Sequence, residues 1–278
     1  MSDEQAKKHK KTKTEKEKLI QHAAATGEPV LRQPVYVWEL PVRIFHWIGV
    51  FMIVGLIITG LYIGNPAVIP MGEATTRFMM GAMRFWHAIF AYIFTANMLF
   101  RVYWFWAGNE YSKFPFWRKD FWSDIIVTVK HYLFLSKEHV IHVGHNSVAQ
   151  LSYFLFVWVG GAIMIITGFI MRGGSNPEGI WQTLFGWLVP LFGGEYQVRN
   201  IHHLVTWFFI MFIIIHLYLA FRQDILDDDS SVSSIITGYK YELPSTIDHH
   251  LKDKYKKSPP DKNEKNDSGS AGEAMPDL

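Results

Sequence analysis

The sequence predicts an all-α fold: an integral membrane four-helix bundle with interfacial helices and disordered termini. Hydrophobic residues make up 49% of the 278 positions. They concentrate in four segments, each long enough for a helix to cross about 30 Å of hydrocarbon, which takes about 20 apolar residues. The chain also has 11 Trp and 12 Tyr, the residues that are enriched where spanning helices leave the membrane.

Composition divides the chain into three parts. Residues 1–34 are rich in Lys, Glu and Gln and are predicted to be a disordered basic tail. Residues 35–242 hold the membrane domain, and residues 243–278 form a second polar, low-complexity tail that is also predicted to be disordered. Within the domain, the predicted spans cover residues 42–64, 78–106, 148–171 and 201–221. No internal repeat is evident.

The start of the chain and its cysteine content exclude several classes of protein. The first apolar run begins near Val42, too far along the chain for the apolar core of a cleavable signal peptide. The chain has no cysteine. This excludes disulfides, iron–sulfur clusters ligated by thiolates, and the thioether bonds that attach c-type haem.

Lysine and arginine are distributed unevenly between the loops. They are abundant before the first span and between the second and third spans, whereas the other two loops have little beyond Arg77, Arg172 and Arg199. The positive-inside rule therefore predicts that both termini and the middle loop are cytoplasmic, with the protein in the cell inner membrane.

Two loops contain apolar stretches that are too short to span. In the middle loop, FPFWRKDFW and IIVTVKHYLFL are aromatic or amphipathic and are predicted to lie in the membrane interface. The loop between the third and fourth spans contains IWQTLFGWLVPLFGG, which is interrupted by Pro190. We interpret this stretch as either interfacial or, together with residues 65–77, a docking surface for another protein.

Four histidines lie at matching depths of the predicted spans: His46, His87, His202 and His216. His202 and His216 are 14 residues apart on the fourth span. This spacing corresponds to about 21 Å of rise and nearly four full turns, so both imidazoles leave the same helix face. The predicted topology pairs His46 with His216 near the cytoplasmic face. It pairs His87 with His202 near the periplasmic face.

Ionisable side chains inside lipid are costly and usually mark a functional site. Two stacked histidines on one helix, each with a partner at its own depth, are suited to holding two planar metal cofactors. The candidates are two non-covalent b-type haems, whose iron would be ligated by the pairs His46/His216 and His87/His202. Any one of these histidines alone is equally well explained as a hydrogen-bonded packing residue; the consistency of the set favours ligation.

His203 is an alternative to His202 as a ligand. It follows His202 directly and points about 100° away from it on the helix. Its spacing of 13 residues from His216 aligns the two imidazoles less well than a spacing of 14 does.

Other residues are candidates for contacting the cofactors. Gly60 is 14 residues after His46, so it faces the periplasmic level and leaves room for a macrocycle. Arg101 is 14 residues after His87 and faces the cytoplasmic level, where guanidinium is suited to pairing with haem propionates.

Arginine also precedes three of the candidate ligands by three residues, on the same helix face and one turn closer to water. These arginines are candidate propionate partners, with His203 a weaker one. The alternative is that they only anchor the helices by reaching into the interface. The three positions are Arg43, Arg84 and Arg199.

Long stretches of the chain resemble one known family. RIFHWIGVFMIVGLIITG at residues 43–60 and RNIHHLVTW at residues 199–207 resemble the two signature regions of the b-type cytochrome subunit of membrane-bound uptake NiFe-hydrogenases. MGAMRFWH before the second span, GHNSVAQ before the third and HLYLAFRQDI at the end of the fourth are similar to the same family. The resemblance covers roughly residues 35–242 and implies the same four histidines as haem ligands.

This resemblance also implies a function. The family anchors the small and large subunits of a periplasmic NiFe-hydrogenase to the lipid bilayer and passes electrons from H2 oxidation to quinone. The chain would then be the electron-transfer subunit of a hydrogen:quinone oxidoreductase complex, and no nucleic acid partner is expected.

Two rival functions follow from the residues. One is the cytochrome b subunit of another respiratory dehydrogenase, such as formate dehydrogenase. The other is a haem-free membrane anchor or transporter. A transporter should show helices broken near the midplane, whereas the Pro and charged residues of these spans lie near the span ends.

Overall fold

The computed structural model describes residues 32–66, 78–109, 119–133, 147–227 and 230–242, and the single positions 18, 26 and 135. Most of the predicted tail at 1–34, all of the tail at 243–278 and most of the loop at 65–77 lie outside these residues.

The described part of the chain consists of seven helices and two short strands. One helical stretch, Phe154–Gly160, is π-helical, and Gly186–Leu188 forms a 3₁₀ turn. The strands are β1 (Gln33–Tyr36) and β2 (Tyr239–Glu242). The helices are α1 (Leu40–Gly64), α2 (Met79–Ala107), α3 (Lys119–Tyr132), α4 (Ser147–Gly174), α5 (Ile180–Phe185), α6 (Glu195–Asp227) and α7 (Ser231–Thr237).

Four of the helices in the described ranges are long and apolar enough to cross a membrane: α1, α2, α4 and most of α6. At most 28% of the residues in the apolar window of each are buried inside the protein. Helices that are apolar on all sides and turn most of that surface outward are typical of a chain that is solvated by lipid. The predicted all-α membrane bundle is thus confirmed.

The ends of the first span follow from local sequence. Pro41 lies in the first turn of α1, where its missing N–H costs no hydrogen bond and its fixed φ suits a helix start. Glu39, the residue before the helix, has an extended backbone conformation. This local geometry fixes where His46 lies, less than two turns into the helix.

Small residues allow close packing in the middle of the bundle. α1 packs along α2, and α4 packs against both α2 and α6. A Cβ on Gly160 would lie 3.3 Å from the Phe209 ring of α6, and one on Gly161 would lie 3.3 Å from Met98 of α2. The Gly160–Gly161 pair therefore brings α4 close to both neighbours, as small residues do at helix contacts in membranes.

A two-stranded sheet closes one end of the bundle, which we call the sheet end. β1 and β2 are antiparallel, with Gln33 opposite Glu242 and Tyr36 opposite Tyr239. β1 crosses the boundary predicted at residues 34 and 35. Local patterns cannot reveal strands this short, because each is stabilised by a partner some 200 residues away in the sequence.

The opposite end, which we call the α5 end, carries the loop between α4 and α6. Trp181 of α5 stacks on Phe169 of α4 with ring centroids 4.1 Å apart, and its Nε1 donates to the Tyr92 hydroxyl of α2. Phe185 packs against both rings, with centroids 5.7 Å from Phe169 and 6.2 Å from Trp181. The predicted non-spanning stretch is therefore a short helix packed onto the ends of two spans.

Candidate cofactor-binding site

Two pairs of imidazole rings face each other between the long helices. At the sheet end, His46 of α1 lies beside His216 of α6, with ring centroids 6.5 Å apart. At the α5 end, His87 of α2 lies beside His202 of α6, with centroids 6.4 Å apart. The structure thus brings together the residues that the spacing argument pairs, each at its own depth.

Both separations fit a metal ion held between two imidazoles. An imidazole nitrogen binds a first-row metal at about 2.0–2.1 Å, so two rings on opposite sides of one ion have centroids roughly 6 Å apart. Aromatic rings in direct contact also have centroids about 4.5–7 Å apart, so it is the repetition of a histidine pair at two depths, together with these separations, that favours a bound metal ion. The residues present therefore fit iron of a b-type haem at both levels, with neutral imidazole as the donor.

At the α5 end, each imidazole is hydrogen-bonded to a threonine hydroxyl. The Thr59 hydroxyl oxygen is 2.9 Å from His87 Nδ1, and the Thr167 hydroxyl oxygen is 2.8 Å from His202 Nδ1. Thr167 is fully buried and His202 is nearly so. These two threonines are functional candidates that the sequence analysis missed.

A glycine follows each threonine and lies against the same ring. A Cβ on Gly60 would lie 3.2 Å from His87 Cε1, and one on Gly168 would lie 3.5 Å from His202 Cε1. Gly60 is thus at the predicted level. The space next to it, which the sequence analysis assigned to a macrocycle, is occupied by the His87 imidazole. A sequence signal exists, because Ile-Ile-Thr-Gly occurs twice, at residues 57–60 and 165–168.

The pair at the sheet end has different surroundings. Phe212 stacks on His216 with centroids 5.5 Å apart, and Trp47 meets His46 edge-on. His46 Nδ1 is buried and has no hydrogen-bond partner among the described residues.

The candidate arginines are in different settings. Arg43 Nη1 donates to the Ile236 carbonyl at the sheet end. Arg84 and Arg199 are exposed, on the faces that carry His87 and His202. Arg101 is 7% exposed, donates from Nε to the Tyr153 hydroxyl at 3.2 Å, and lies over the Trp158 ring.

His203 does not join either pair. Its ring lies against Gly64 near the end of α1, where a Cβ would be 3.2 Å from His203 Cε1. His202 and His203 therefore face different neighbours, and it is the His202 ring that meets His87.

Known proteins with similar sequences identify the family. The family described as prokaryotic cytochrome b561 matches residues 37–238. A probable Ni/Fe-hydrogenase B-type cytochrome subunit of Cupriavidus necator is 40% identical over 223 residues, covering 78% of this chain and 91% of the relative.

Two further relatives agree. A subunit of the same description from Azotobacter vinelandii is 38% identical over 211 residues, covering 74% of this chain and 88% of the relative. A probable Ni/Fe-hydrogenase 1 B-type cytochrome subunit of Escherichia coli is 37% identical over 213 residues, covering 74% and 90%. The match spans both histidine pairs and all four long helices, and it confirms the resemblance seen in the sequence. The chain belongs to the prokaryotic cytochrome b561 family.

Proposed function

We propose that this chain binds two non-covalent b-type haems and carries electrons from a periplasmic NiFe-hydrogenase to quinone. The observation that carries the proposal is the presence of two histidine pairs, at two depths, with centroid separations of 6.5 and 6.4 Å. The names of the relatives, which are hydrogenase cytochrome subunits, support the choice of partner.

In this proposal the chain itself supplies ligation, spacing and a low dielectric. When bound, haem supplies one-electron redox chemistry. His202 and His216 set the separation of the two sites, because both lie on the continuous helix α6, where 14 residues correspond to about 21 Å of rise. Arg43, Arg84, Arg101 and Arg199 are proposed to hold propionate carboxylates, which need cationic donors in a membrane.

The orientation is part of the proposal. In sequence, the lysine-rich segments precede β1 and follow α2, and the described ends of these two elements lie at the sheet end, so the positive-inside rule predicts that this end is cytoplasmic. The α5 end would then face the periplasm and the hydrogenase.

The outer surface at the α5 end is proposed to receive the small and large hydrogenase subunits. Trp181 and Phe185 are used in packing onto α4, whereas Trp187 and Leu191 are 65% and 73% exposed. An exposed apolar patch at a membrane surface is typical of a protein contact or of lipid insertion. The proposal commits to the protein contact.

The test combines haem content with electron transfer in the assembled complex. The purified complex should show two haem b per cytochrome chain by pyridine haemochrome. Trp187→Asp should loosen hydrogenase binding and reduce H2-dependent quinone reduction while both haems stay bound. H2 oxidation with an artificial acceptor should survive in the hydrogenase subunits.

Trp122→Asp is the matched control. Trp122 is a half-exposed tryptophan of α3, which follows α2 at the sheet end. It should tolerate the same new charge with full hydrogenase binding. Normal binding and quinone reduction in Trp187→Asp would exclude this docking surface, and a chain purified without haem would overturn the proposed function as a whole.

A further inference from the structure

The same tetrapeptide supports both imidazoles at the α5 end. Ile-Ile-Thr-Gly occurs at residues 57–60 in α1 and at 165–168 in α4. In each copy the threonine hydroxyl reaches an imidazole Nδ1, at 2.9 and 2.8 Å. In each copy the glycine adjoins Cε1 of that same ring. His87 and His202 are thus held by two copies of one local structure on two different helices.

Each threonine hydroxyl has a single proton, and where that proton goes decides whether the hydroxyl or the imidazole donates in the contact between them. A hydroxyl has one proton to give and two lone pairs to accept with. The Thr59 hydroxyl donates to the Gly55 carbonyl at 2.7 Å, and the Thr167 hydroxyl donates to the Ile163 carbonyl at 2.6 Å. Each hydroxyl oxygen is therefore left to accept from the imidazole, so Nδ1 carries the proton in both histidines.

This arrangement selects one tautomer. With the proton on Nδ1, the lone pair of a neutral imidazole is on Nε2, the nitrogen on the far side of the ring from the threonine. A hydrogen-bond acceptor on the Nδ1 proton of a ligating imidazole fixes the orientation of the ring and makes it a stronger electron donor.

We propose that Thr59 and Thr167 are positioning residues that orient His87 and His202 and lower the reduction potential of the haem between them. The proposal rests on the proposed function, because it presumes haem at this level. A more strongly donating imidazole stabilises the ferric state, and hydrogen bonding around axial ligands is one of the factors that set the potential. His46 Nδ1 has no such acceptor among the described residues, so we expect the effect at the His87/His202 site.

The test is a redox titration of the purified holo-complex, in which two b-type haems are resolved. Thr59→Val and Thr167→Val keep the side-chain shape and remove the hydroxyl acceptor; His87 keeps a backbone hydrogen bond to Leu56, so the larger effect is expected from Thr167→Val. Each should raise the midpoint potential of one haem, the same haem in both variants, and leave the other unchanged. Thr59→Ser and Thr167→Ser keep a hydroxyl and should restore the original value.

Two other threonines provide matched controls. Thr95 of α2 donates to the Ala91 carbonyl at 2.8 Å, and Thr206 of α6 donates to the His202 backbone carbonyl at 3.0 Å. Each thus makes the same helix-internal bond as Thr59 and Thr167, and among the described residues its hydroxyl makes no hydrogen bond to an imidazole. Thr95→Val and Thr206→Val should leave both potentials where they are.

The outcomes separate the inference from the function on which it rests. Full haem content with unmoved potentials in both valine variants overturns the inference and leaves the proposed function intact. A shift shared equally by both haems, or matched by the controls, also overturns it. If a valine variant loses haem instead, loss of one haem with retention in the serine variant supports positioning, whereas loss of both haems refutes it.

Discussion

Each of the four histidines faces one other histidine, and the two pairs have different neighbouring side chains. Each pair draws one ring from α6 and one from α1 or α2, so removing either ring leaves the opposite one without its counterpart. One imidazole is expected to retain a haem much less firmly than two do. The pairing therefore makes residue-level expectations that differ from those for four independent packing residues.

Alanine variants should remove haem pair by pair. We expect His46→Ala and His216→Ala to lose the same haem, and His87→Ala and His202→Ala to lose the other, each retaining about half of the total by the stoichiometry of one iron per pair. Pyridine haemochrome and low-temperature spectra of the purified complex measure this. Full haem retention in His202→Ala or His216→Ala would contradict the pairing.

His203→Ala is the control within the same helix turn. Because the His203 ring lies against Gly64 rather than against His87, we expect this variant to keep more haem than His202→Ala. The reverse order would move the ligand by one residue.

At the scale of elements, the sheet end ties the start of α1 to the end of the membrane domain. Trp38 Nε1 donates to Ser234 Oγ of α7, and the amides of Val37 and Trp38 both donate to the Gly238 carbonyl. Glu39 accepts from Trp104 Nε1 at the end of α2. These bonds fix the first turns of α1, and with them His46, relative to the segment that follows α6.

Gly238 is the residue on which this connection depends. Its φ is +90°, and a Cβ there would lie 2.7 Å from the Tyr36 ring and 2.9 Å from the Trp38 carbonyl oxygen. Gly238→Ala should therefore destabilise the protein twice, by about 1–2 kcal/mol of left-handed strain and by roughly 1–3 kcal/mol of overlap. Thermal unfolding of the detergent-solubilised protein measures the loss.

Gly194 offers a matched control for this substitution. Its φ is +101°, but nothing lies within 4 Å of the position of its Cβ. Gly194→Ala should show the strain alone and a smaller decrease in the midpoint of unfolding. Equal decreases in the two variants would mean that the contacts of Gly238 add nothing to stability.

At the scale of the whole molecule, what the sequence predicts and what it misses have a common physical cause. Hydropathy and helical period are local, so the four spans and the depths of His46, His87, His202 and His216 follow from sequence alone. The β1–β2 pairing and the contacts of Thr59 and Thr167 join segments that are distant in sequence. A threonine in an apolar helix usually makes only a back-bond to the preceding turn, so Thr59 and Thr167 are distinguished in the sequence only by the repeated Ile-Ile-Thr-Gly, which does not name their partners.

Which end of this bundle faces the cytoplasm is set by charge in the loops rather than by packing, and the chain offers a clean measurement of it. Cysteine is absent from the sequence, so a single introduced thiol reports only its own position. Gln33 at the sheet end and Glu195 at the α5 end are both exposed.

Because lysine and arginine are held on the cytoplasmic side during insertion, a membrane-impermeant thiol reagent should label Glu195→Cys but not Gln33→Cys in intact cells. Both should be labelled once the cells are broken, which checks that each thiol is reactive. Labelling of Gln33→Cys alone in intact cells would invert the protein in the membrane and place the His46/His216 pair, rather than the His87/His202 pair, next to a periplasmic hydrogenase.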